Sequence, residues 1–526
     1  MITVRSMHRQ LCLGFIGCCL PFVSAQVQAQ QSLPQSVTLA LQQAGVPTSA
    51  LAVIVQPVDR SAPKLAIHED VPMSPASTMK LVTSGVALEV LGPTYKWKTQ
   101  LLSDESWKMP SNRSTKKNTL RGPLYLRGGG APDLSWERLG MMLRTLYDQG
   151  IHRIEGDLIL DRSFFEPSRF DLNLPPFDET PDAYYNVIPD ALLVNSNLTS
   201  FELDSTQKKM QTRLSSPMAR VRLNNRMTVG DFPCAQWEQR WIPPTIKTDR
   251  RHRTTITLSG EFPRDCKITN SLNILDRNLY IESLVRQLWT EMGGQWKGRA
   301  IDGTVPPTAT ALVEKSSDTL ADNLRIINKR SDNAMTRLLY LSLGAELSAG
   351  LSTKMTGVTS FNAAEERVRL WMRQQGIDDQ GFVIENGSGL SRSERISAKQ
   401  MSSFLLHLSQ SNWFAEFSAS LPIVAVDGTM RKRLVGTVAA ARARIKTGTL
   451  RDTVAVAGYV RDQQNRHWVV VGMINHEYAA KARPALDALI AWVASGVESE
   501  AVEGLTQAQA AAEPMSRQSS VSAPLQ

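Results

Sequence analysis

One short stretch, Ser77-Thr78-Met79-Lys80, constrains this chain more than any other part of its sequence. Apolar residues continue from it at Val82 and Val86 with the spacing of one helix face, and Gly92-Pro93 ends the pattern. A serine and a lysine three residues apart on a helix share a face, so the amine can reach the hydroxyl. A serine needs a neighbouring base to become a nucleophile, and a lysine serves when burial or another cation lowers its pKa. The stretch therefore predicts Ser77 as a nucleophile and Lys80 as its base.

The Ser-x-x-Lys spacing also occurs at three other serines, and local context separates them from Ser77. Ser61 is followed by Ala62-Pro63, Ser114 lies in a polar run, and Ser205 lies between strand-like segments. All three contexts are typical of solvated loops. Context selects Ser77, but a mechanism needs residues from elsewhere in the chain.

Length, charge and histidine content exclude several classes of protein. The chain has 526 residues, enough for two or three domains with a sizeable core. Its formal net charge is +9, but the positive residues are scattered and no nucleic-acid-binding motif accompanies them. The seven histidines are dispersed without metal-ligand spacing. We therefore expect no nucleic-acid partner, no metal and no cofactor.

The first 25 residues have the pattern of a secretory signal peptide. Arg5 and Arg9 precede an apolar stretch over 11–22, and Val23-Ser24-Ala25 supplies small residues at a cleavage site. Cys18 lies in a loose lipoprotein-like box, which leaves lipidation open. No later stretch reaches the roughly 18 uninterrupted apolar residues of a membrane helix. We therefore expect an exported, periplasmic protein without an integral membrane segment after cleavage.

Two cysteines, Cys234 and Cys266, remain after the signal segment. Two cysteines in an oxidising compartment favour a disulfide, and two unlinked buried thiols are the alternative. In the chain-entropy treatment, closing that loop would stabilise the fold by roughly 3–4 kcal/mol.

The secondary-structure pattern changes along the chain and predicts its domains. Between 97 and 306, short strand-like runs separated by Gly, Pro, Asn and Asp predominate, and one clear helix is predicted over 135–150. Helical patterns return after 308, and three closely spaced strand patterns then favour an antiparallel meander. The predicted division is: signal peptide 1–25; catalytic domain 30–96 and 307–498; nested insert 97–166; β-rich insert 167–306; and disordered tail 499–526.

Two more motifs, Ser331-Asp332-Asn333 and Lys446-Thr447-Gly448, provide the chemistry that Ser77 needs. Ser331 can relay a proton between Lys80, Lys446 and the leaving amine. Asn333 can bond Lys80 and a substrate amide, and Lys446 can attract a carboxylate and lower the pKa of Lys80. Thr447 and Thr449 offer hydroxyls to that carboxylate, and Gly448 leaves room at a strand edge. Backbone N–H groups of Ser77 and Thr449 would form an oxyanion hole.

The ordered motifs resemble those of the class C low-molecular-mass penicillin-binding proteins, which are D-alanyl-D-alanine carboxypeptidases/endopeptidases. The family inserts two domains between its first two motifs, and the long gap from Lys80 to Ser331 resembles that arrangement. The segments 157–161 and 385–392, the phrase Asp427-Gly428-Thr429-Met430 and the pair Cys234/Cys266 extend the resemblance.

The resemblance implies an α/β (α+β) fold of the penicillin-binding/serine β-lactamase-like transpeptidase type. It has an antiparallel sheet flanked by helices, plus two inserted, mostly β domains. It implies hydrolysis of peptidoglycan stem peptides through a Ser77 acyl-enzyme, with β-lactams as covalent inhibitors. In members that act on diaminopimelate-containing wall, an acid from the insert reaches the substrate side chain, and Asp161 is the matching residue. A homodimer is left open.

Two rival functions are weighed against this one. A class A serine β-lactamase would have its Ser-Asp-Asn closer to its Ser-x-x-Lys, and a class C enzyme would have Tyr in place of Ser331. A non-catalytic wall-binding protein would be expected to lose one of four residues that are all present: Ser77, Lys80, Ser331 and Lys446. The balance between carboxypeptidase and endopeptidase activity stays open.

Overall fold

The computed structural model describes residues 32–105, 118–172, 174–349 and 358–497. The predicted signal peptide, Cys18, Ser114 and the tail 499–526 lie outside the described residues. No helix in the described ranges is long and apolar enough to cross a membrane.

Ten α-helices form within those ranges, and their bounds are as follows: α1 Gln35–Ala44, α2 Lys80–Leu91, α3 Trp136–Asp148, α4 Arg277–Glu291, α5 Leu320–Arg330, α6 Asn333–Ala349, α7 Ser360–Gln374, α8 Ala398–Leu408, α9 Phe414–Ser420 and α10 Arg483–Ser495. The strands of the same ranges are β1 Leu51–Pro57, β2 Leu65–Ile67, β3 Lys98–Ser103, β4 Thr119–Leu120, β5 Leu124–Gly128, β6 Arg153–Ile154, β7 Leu158–Asp161, β8 Thr199–Asp204, β9 Gln211–Leu214, β10 Val221–Asn225, β11 Thr228–Gly230, β12 Trp241–Thr248, β13 Thr254–Pro263, β14 Lys267–Leu272, β15 Gln295–Trp296, β16 Ala300–Asp302, β17 Thr310–Ser316, β18 Ala443–Leu450, β19 Thr453–Arg461 and β20 His467–Asn475.

A five-stranded antiparallel sheet joins the two ends of the chain in the order β18-β19-β20-β1-β2. Both faces are covered, because alternate residues of β1 pack in opposite directions. Val53 belongs to the core shared with α1 and α10, and Ile54 belongs to the core shared with α2 and α8. A slip of one residue would exchange these faces, so packing fixes the register. The predicted antiparallel sheet flanked by helices is confirmed.

The region between α2 and α5 is built from further small sheets. One of them has the order β16-β7-β5-β3-β17, so β17, which lies beyond position 306, pairs with the first strand of the region. Cys234 and Cys266 form a disulfide between the start of a 3₁₀ turn and the segment before β14. The domain limits set out above stay a prediction.

Sequence inspection missed the helix α4, although its signals are present. The Asp276 carboxylate accepts hydrogen bonds from the N–H groups of Asn278 and Leu279 and so caps the first turn. Tyr280 and Leu284 are buried on its inner face with helical spacing. The surrounding strand-like texture outweighed this pattern.

Candidate active site

A cleft of about 1100 Å³ opens where the β18 edge, the α5–α6 turn, the loop 385–395 and a segment of the inserted region meet. Ser77, Ser331, Asn333 and Thr449 line it. Residues more than 350 positions apart in sequence, such as Ser77 and Thr449, therefore share one surface.

Ser77 lies in the short 3₁₀ turn Ala76–Met79 that leads directly into α2 at Lys80. The turn starts with Ala76 at a φ of +45°, a region that residues with a Cβ rarely adopt. Two glycines press on this turn from other elements. A Cβ on Gly448 would lie 2.5 Å from the Pro75 oxygen, and one on Gly389 would overlap the Ala76 carbonyl. The absence of a side chain at Gly448 thus permits the serine turn to approach β18 closely. The sequence had suggested a different role for this glycine, which was to leave room for substrate.

Lys80 is fully buried, and its amine contacts the nucleophile candidate. Nζ donates to Ser77 Oγ at 3.1 Å and to Asn333 Oδ1 at 2.6 Å, and it also donates to the Ser388 carbonyl. Burial lowers the pKa of Lys80 to about 7, against the charges of Asp332 and Glu394, which favour the ammonium form. An amine with this pKa exists in both protonation states near neutral pH, as a general base requires.

Lys446 is the second buried lysine of the site. Its Nζ donates to Ser331 Oγ and to the Thr447 carbonyl, both at 2.8 Å. Burial, and then the charge of Lys80, hold the pKa of Lys446 well below its usual range. The pKa of Lys80 is lowered mainly by burial, and the cation that lowers it further is Arg337. The expected lowering of this pKa by Lys446 is therefore not the dominant effect. A substrate carboxylate would supply Lys446 with the counter-charge that favours its ammonium form.

The turn between α5 and α6 presents Ser331 and Asn333 from the opposite side. Ser331 caps α5 in the left-handed conformation, with a φ of +59°. The Asn333 side chain bridges two parts of the protein: Oδ1 accepts from Lys80, and Nδ2 donates to the Tyr185 carbonyl at 3.1 Å. The expected contact between Asn333 and Lys80 is therefore present. The side-chain N–H group of Asn333 that we expected to bind substrate donates to the inserted region.

The edge strand β18 supplies the remaining residues. Thr449 lines the cleft, and the Thr447 hydroxyl donates to the hydroxyl of Thr429, another cleft residue, at 3.0 Å. β18 ends the sheet order, and its first residues pair with the segment around Ile423, so within the described residues the outer edge lacks a strand partner only toward Thr449, which lines the cleft. An edge strand of this kind can pair with an extended peptide.

Asp161 does not reach this cleft. It is 1% exposed, and its carboxylate accepts from the N–H groups of Ser163 and Val305 and from Arg127. Despite burial, these bonds hold the pKa of Asp161 below its usual value. A carboxylate already enclosed in this way is unavailable to a substrate side chain.

Two other acids of the inserted region do line the cleft, and sequence inspection missed both. Asp178 accepts from Thr180, Tyr185 and Asn186, which together hold its pKa at about 2 despite some burial. Glu179 is exposed, and its carboxylate lies 3.8 Å from Arg451 at the far rim. Pairing of acid and base across a cleft is a tertiary property without a local sequence signal.

The loop over 385–391 supplies contacts that the motifs did not reveal. The Ser388 carbonyl accepts from Lys80, and the Gly387 carbonyl accepts from the Thr83 hydroxyl of α2 at 2.7 Å. Glu394, buried behind this loop, accepts three of its backbone N–H groups. The family-like phrase marked the loop, but nothing in it marked Glu394 as buried.

The fold and the site define a class: serine enzymes in which a lysine three residues on activates the nucleophile, and a second Ser–Lys pair lies across the cleft. The chain belongs to the D-Ala-D-Ala carboxypeptidase 3 (S13) family, whose sequence model matches residues 33–495.

Individual relatives agree with that assignment. A D-alanyl-D-alanine carboxypeptidase of Actinomadura sp. (strain R39) is 28% identical over 450 residues, which span 82% of this chain and 78% of the relative. The D-alanyl-D-alanine carboxypeptidase DacB of Haemophilus influenzae is 25% identical over 407 residues, or 77% and 80% of the two chains. The crystal structure of penicillin binding protein 4 from Haemophilus influenzae matches with a TM-score of 0.68 at 21% identity, covering 86% of this chain and 99% of that one. This last match shows the fold.

Proposed function

We propose that this protein is a serine D-alanyl-D-alanine carboxypeptidase and endopeptidase that cleaves peptidoglycan stem peptides through an acyl-enzyme on Ser77. The observation that carries the proposal is the 3.1 Å contact between Ser77 Oγ and the buried amine of Lys80, whose pKa burial lowers to about 7. Membership of the S13 family supports the same reaction.

In the acylation step, Ser77 Oγ attacks the carbonyl carbon of the penultimate D-Ala. Its proton passes to the neutral amine of Lys80, and the carbonyl oxygen becomes an oxyanion. N–H groups of Ser77 and Thr449 are the proposed donors to that oxyanion, where losing one donor costs about 3–4 kcal/mol of barrier stabilisation. Asn333 keeps the amine of Lys80 directed at the hydroxyl through its 2.6 Å contact.

The amine that leaves needs a proton when the C–N bond breaks. Ser331 is the proposed relay that passes the proton taken up by Lys80 to this amine and so leaves Lys80 neutral again, because its hydroxyl accepts from Lys446 at 2.8 Å and lies on the same cleft wall as Asn333. The acyl group then stays on Ser77 until water attacks the ester. Lys80 again takes the proton, from water in this case, and returns it to the Ser77 oxygen as the ester bond breaks; the stem peptide leaves as a carboxylic acid, which ionises in solvent.

Recognition of the substrate uses both rims of the cleft. Lys446, Thr447 and Thr449 are proposed to hold the terminal carboxylate, as their charges and hydroxyls permit. Glu179 replaces Asp161 as the proposed acid for the amine of the stem-peptide diamino acid, because it lies exposed in the cleft. Glu179→Gln would then weaken turnover of peptides with a free side-chain amine more than turnover of acetylated ones.

The leaving group separates carboxypeptidase from endopeptidase activity: free D-Ala leaves in the first, and a second stem peptide leaves in the second. A cleft of about 1100 Å³ is large enough for the second peptide. The test is incubation of purified uncross-linked and cross-linked muropeptides with wild-type protein and Ser77→Ala, followed by mass analysis. We expect loss of D-Ala and splitting of dimers with wild type alone. Product formation by the Ser77→Ala protein would overturn the proposal.

A β-lactamase would share the first half of this reaction but release the acyl group rapidly. We propose instead that β-lactams leave a long-lived ester on Ser77. Intact mass measured at intervals after mixing with penicillin distinguishes the two: a persisting adduct supports the peptidase, and fast hydrolysis of excess penicillin supports the β-lactamase.

We also propose export to the periplasm, where the wall substrate and an oxidising environment are found. The disulfide between Cys234 and Cys266 fits that compartment. Fractionation of cells that express the full chain tests the location, and sedimentation tests whether copies associate into a homodimer. Recovery of the mature protein in the cytoplasm would overturn the proposed location.

A further inference from the structure

Glu394 is a buried carboxylate in the irregular segment that precedes α8, and no motif assigns it a role. It is 1% exposed. One oxygen, Oε1, accepts backbone N–H groups from three consecutive residues: Glu385 at 3.1 Å, Asn386 at 3.0 Å and Gly387 at 3.0 Å. Three convergent N–H donors are a strong anchor for a single carboxylate oxygen.

The anchored loop ends against the reacting groups. Ser388, the next residue after the three donors, gives its carbonyl to the amine of Lys80. Gly389 packs so closely on the Ala76 carbonyl that no Cβ would fit. A shift of the loop away from Glu394 would therefore change both the partner of Lys80 and the turn that holds Ser77.

The carboxylate of Glu394 has no cationic partner among the described residues. Among the described residues, its second oxygen, Oε2, has no hydrogen-bond partner, and Glu394 forms no ion pair. In a buried, weakly polarisable setting, such a charge acts over a longer distance than it would in water. Burial raises the pKa of Glu394, and the three N–H donors oppose that effect by favouring the carboxylate.

Other charged groups also act on Lys80 and Glu394. Asp332, at the start of α6, and Glu394 favour the ammonium form of Lys80, whereas Arg337 of α6 disfavours it. Lys446 of β18 and Lys80 are coupled. On the far side, Glu385 acts on the same carboxylate, and Tyr340 of α6 is also in its field.

We propose that Glu394 is a positioning residue for the reaction: it holds the Ser388 carbonyl on Lys80, and its buried charge stabilises the ammonium that forms when Lys80 accepts the Ser77 proton. The inference rests on the proposed function, since Lys80 must be the base. Glu394→Gln isolates the charge, because an amide oxygen still accepts the three N–H groups. Lys80 would then lose its proton at lower pH, so the acid limb of the acylation profile would move to lower pH.

The experiment measures the rate of Ser77 labelling by fluorescent penicillin between about pH 5 and pH 9. For Glu394→Gln, we expect the ratio of the rate at about pH 6 to that at about pH 8 to exceed the wild-type ratio by about threefold or more. Glu366→Gln is the control, because it removes an exposed carboxylate of α7. Its ratio should equal that of the wild type.

A purely structural role would lower the rate equally at every pH, and that outcome, or an unchanged ratio, overturns the inference. Glu394→Asp provides a second route if the Gln variant does not fold. It keeps the charge but shortens the reach, so its rate should fall while its pH ratio stays that of the wild type. A shifted ratio for Glu394→Asp would also overturn the inference. Labelling of wild-type protein that does not depend on Ser77 would instead refute the proposed function itself.

Discussion

Replacing Lys80 with Met probes the physical basis of the site, which is that burial holds this amine near the midpoint of its titration. Met is unbranched and similar in length, so the variant removes the charge with little change of shape. It also removes hydrogen bonds to Ser77, Asn333 and the Ser388 carbonyl. The pH-dependent part of these bonds belongs to the titration of Lys80, so the comparison of the two proteins at several pH values reports that titration together with its coupling to Lys446.

The sign and size follow from the lowered pKa. Burial lowers the pKa of Lys80 from 10.5 to about 7 in the folded protein. Above pH 7, the unfolded chain therefore binds a proton at this residue that the folded protein does not, and stability rises with pH. The slope approaches about 1.4 kcal/mol per pH unit. Between pH 7 and about pH 9, wild type should gain roughly 2 kcal/mol relative to Lys80→Met.

The assay is urea unfolding of both proteins at several pH values, followed by tryptophan fluorescence and circular dichroism. Coincident transitions justify a two-state treatment. Lys432→Met, at an exposed lysine, is the control and should track wild type across the range. A stability difference between wild type and Lys80→Met that stays constant from pH 7 to about pH 9 would refute the claim that burial depresses this pKa.

Three further predictions concern activity. Because the pKa of Lys80 is about 7, the rate of penicillin acylation should fall about fiftyfold from pH 7 to about pH 5, and stopped-flow labelling that shows no such fall would exclude the neutral amine as base. Gly389→Ala should reduce labelling by more than about tenfold, since its Cβ would overlap the serine turn, whereas Gly376→Ala, with a similar φ of +70° but open space around the Cβ, should label as wild type. Lys446→Ala should slow turnover of peptides with a free terminal carboxylate, and equal slowing on terminally amidated peptides would contradict carboxylate recognition.

The nucleophile and its nearest partners could be predicted from the sequence, because those residues lie in short local patterns. Ser77 and Lys80 follow from helix geometry, and the strand around Lys446 belongs to the three closely spaced strand patterns of the predicted meander. The structure brings these residues together as two hydrogen-bonded groups, one of Ser77, Lys80 and Asn333 and the other of Ser331 and Lys446, and Ser77, Ser331 and Asn333 line one cleft.

The features of the site that the sequence did not predict arise where segments distant in sequence pack against each other. Asp161 ends a strand as expected, yet its neighbours enclose it, and Glu179 lines the cleft from an irregular segment without periodicity. The buried carboxylate of Glu394 follows a polar glycine loop, where sequence alone predicts exposure. The missed helix α4 differs from these, because its cap and apolar spacing were readable and were overruled by the surrounding strands.

Peptide mapping of the penicillin adduct tests the central claim most directly. Wild-type protein treated with penicillin should carry one acyl group, located on the peptide that contains Ser77. Ser77→Ala treated in the same way should carry none, while its circular dichroism matches that of wild type. An adduct on any other residue, or an equal adduct on the Ser77→Ala protein, would contradict Ser77 as the nucleophile.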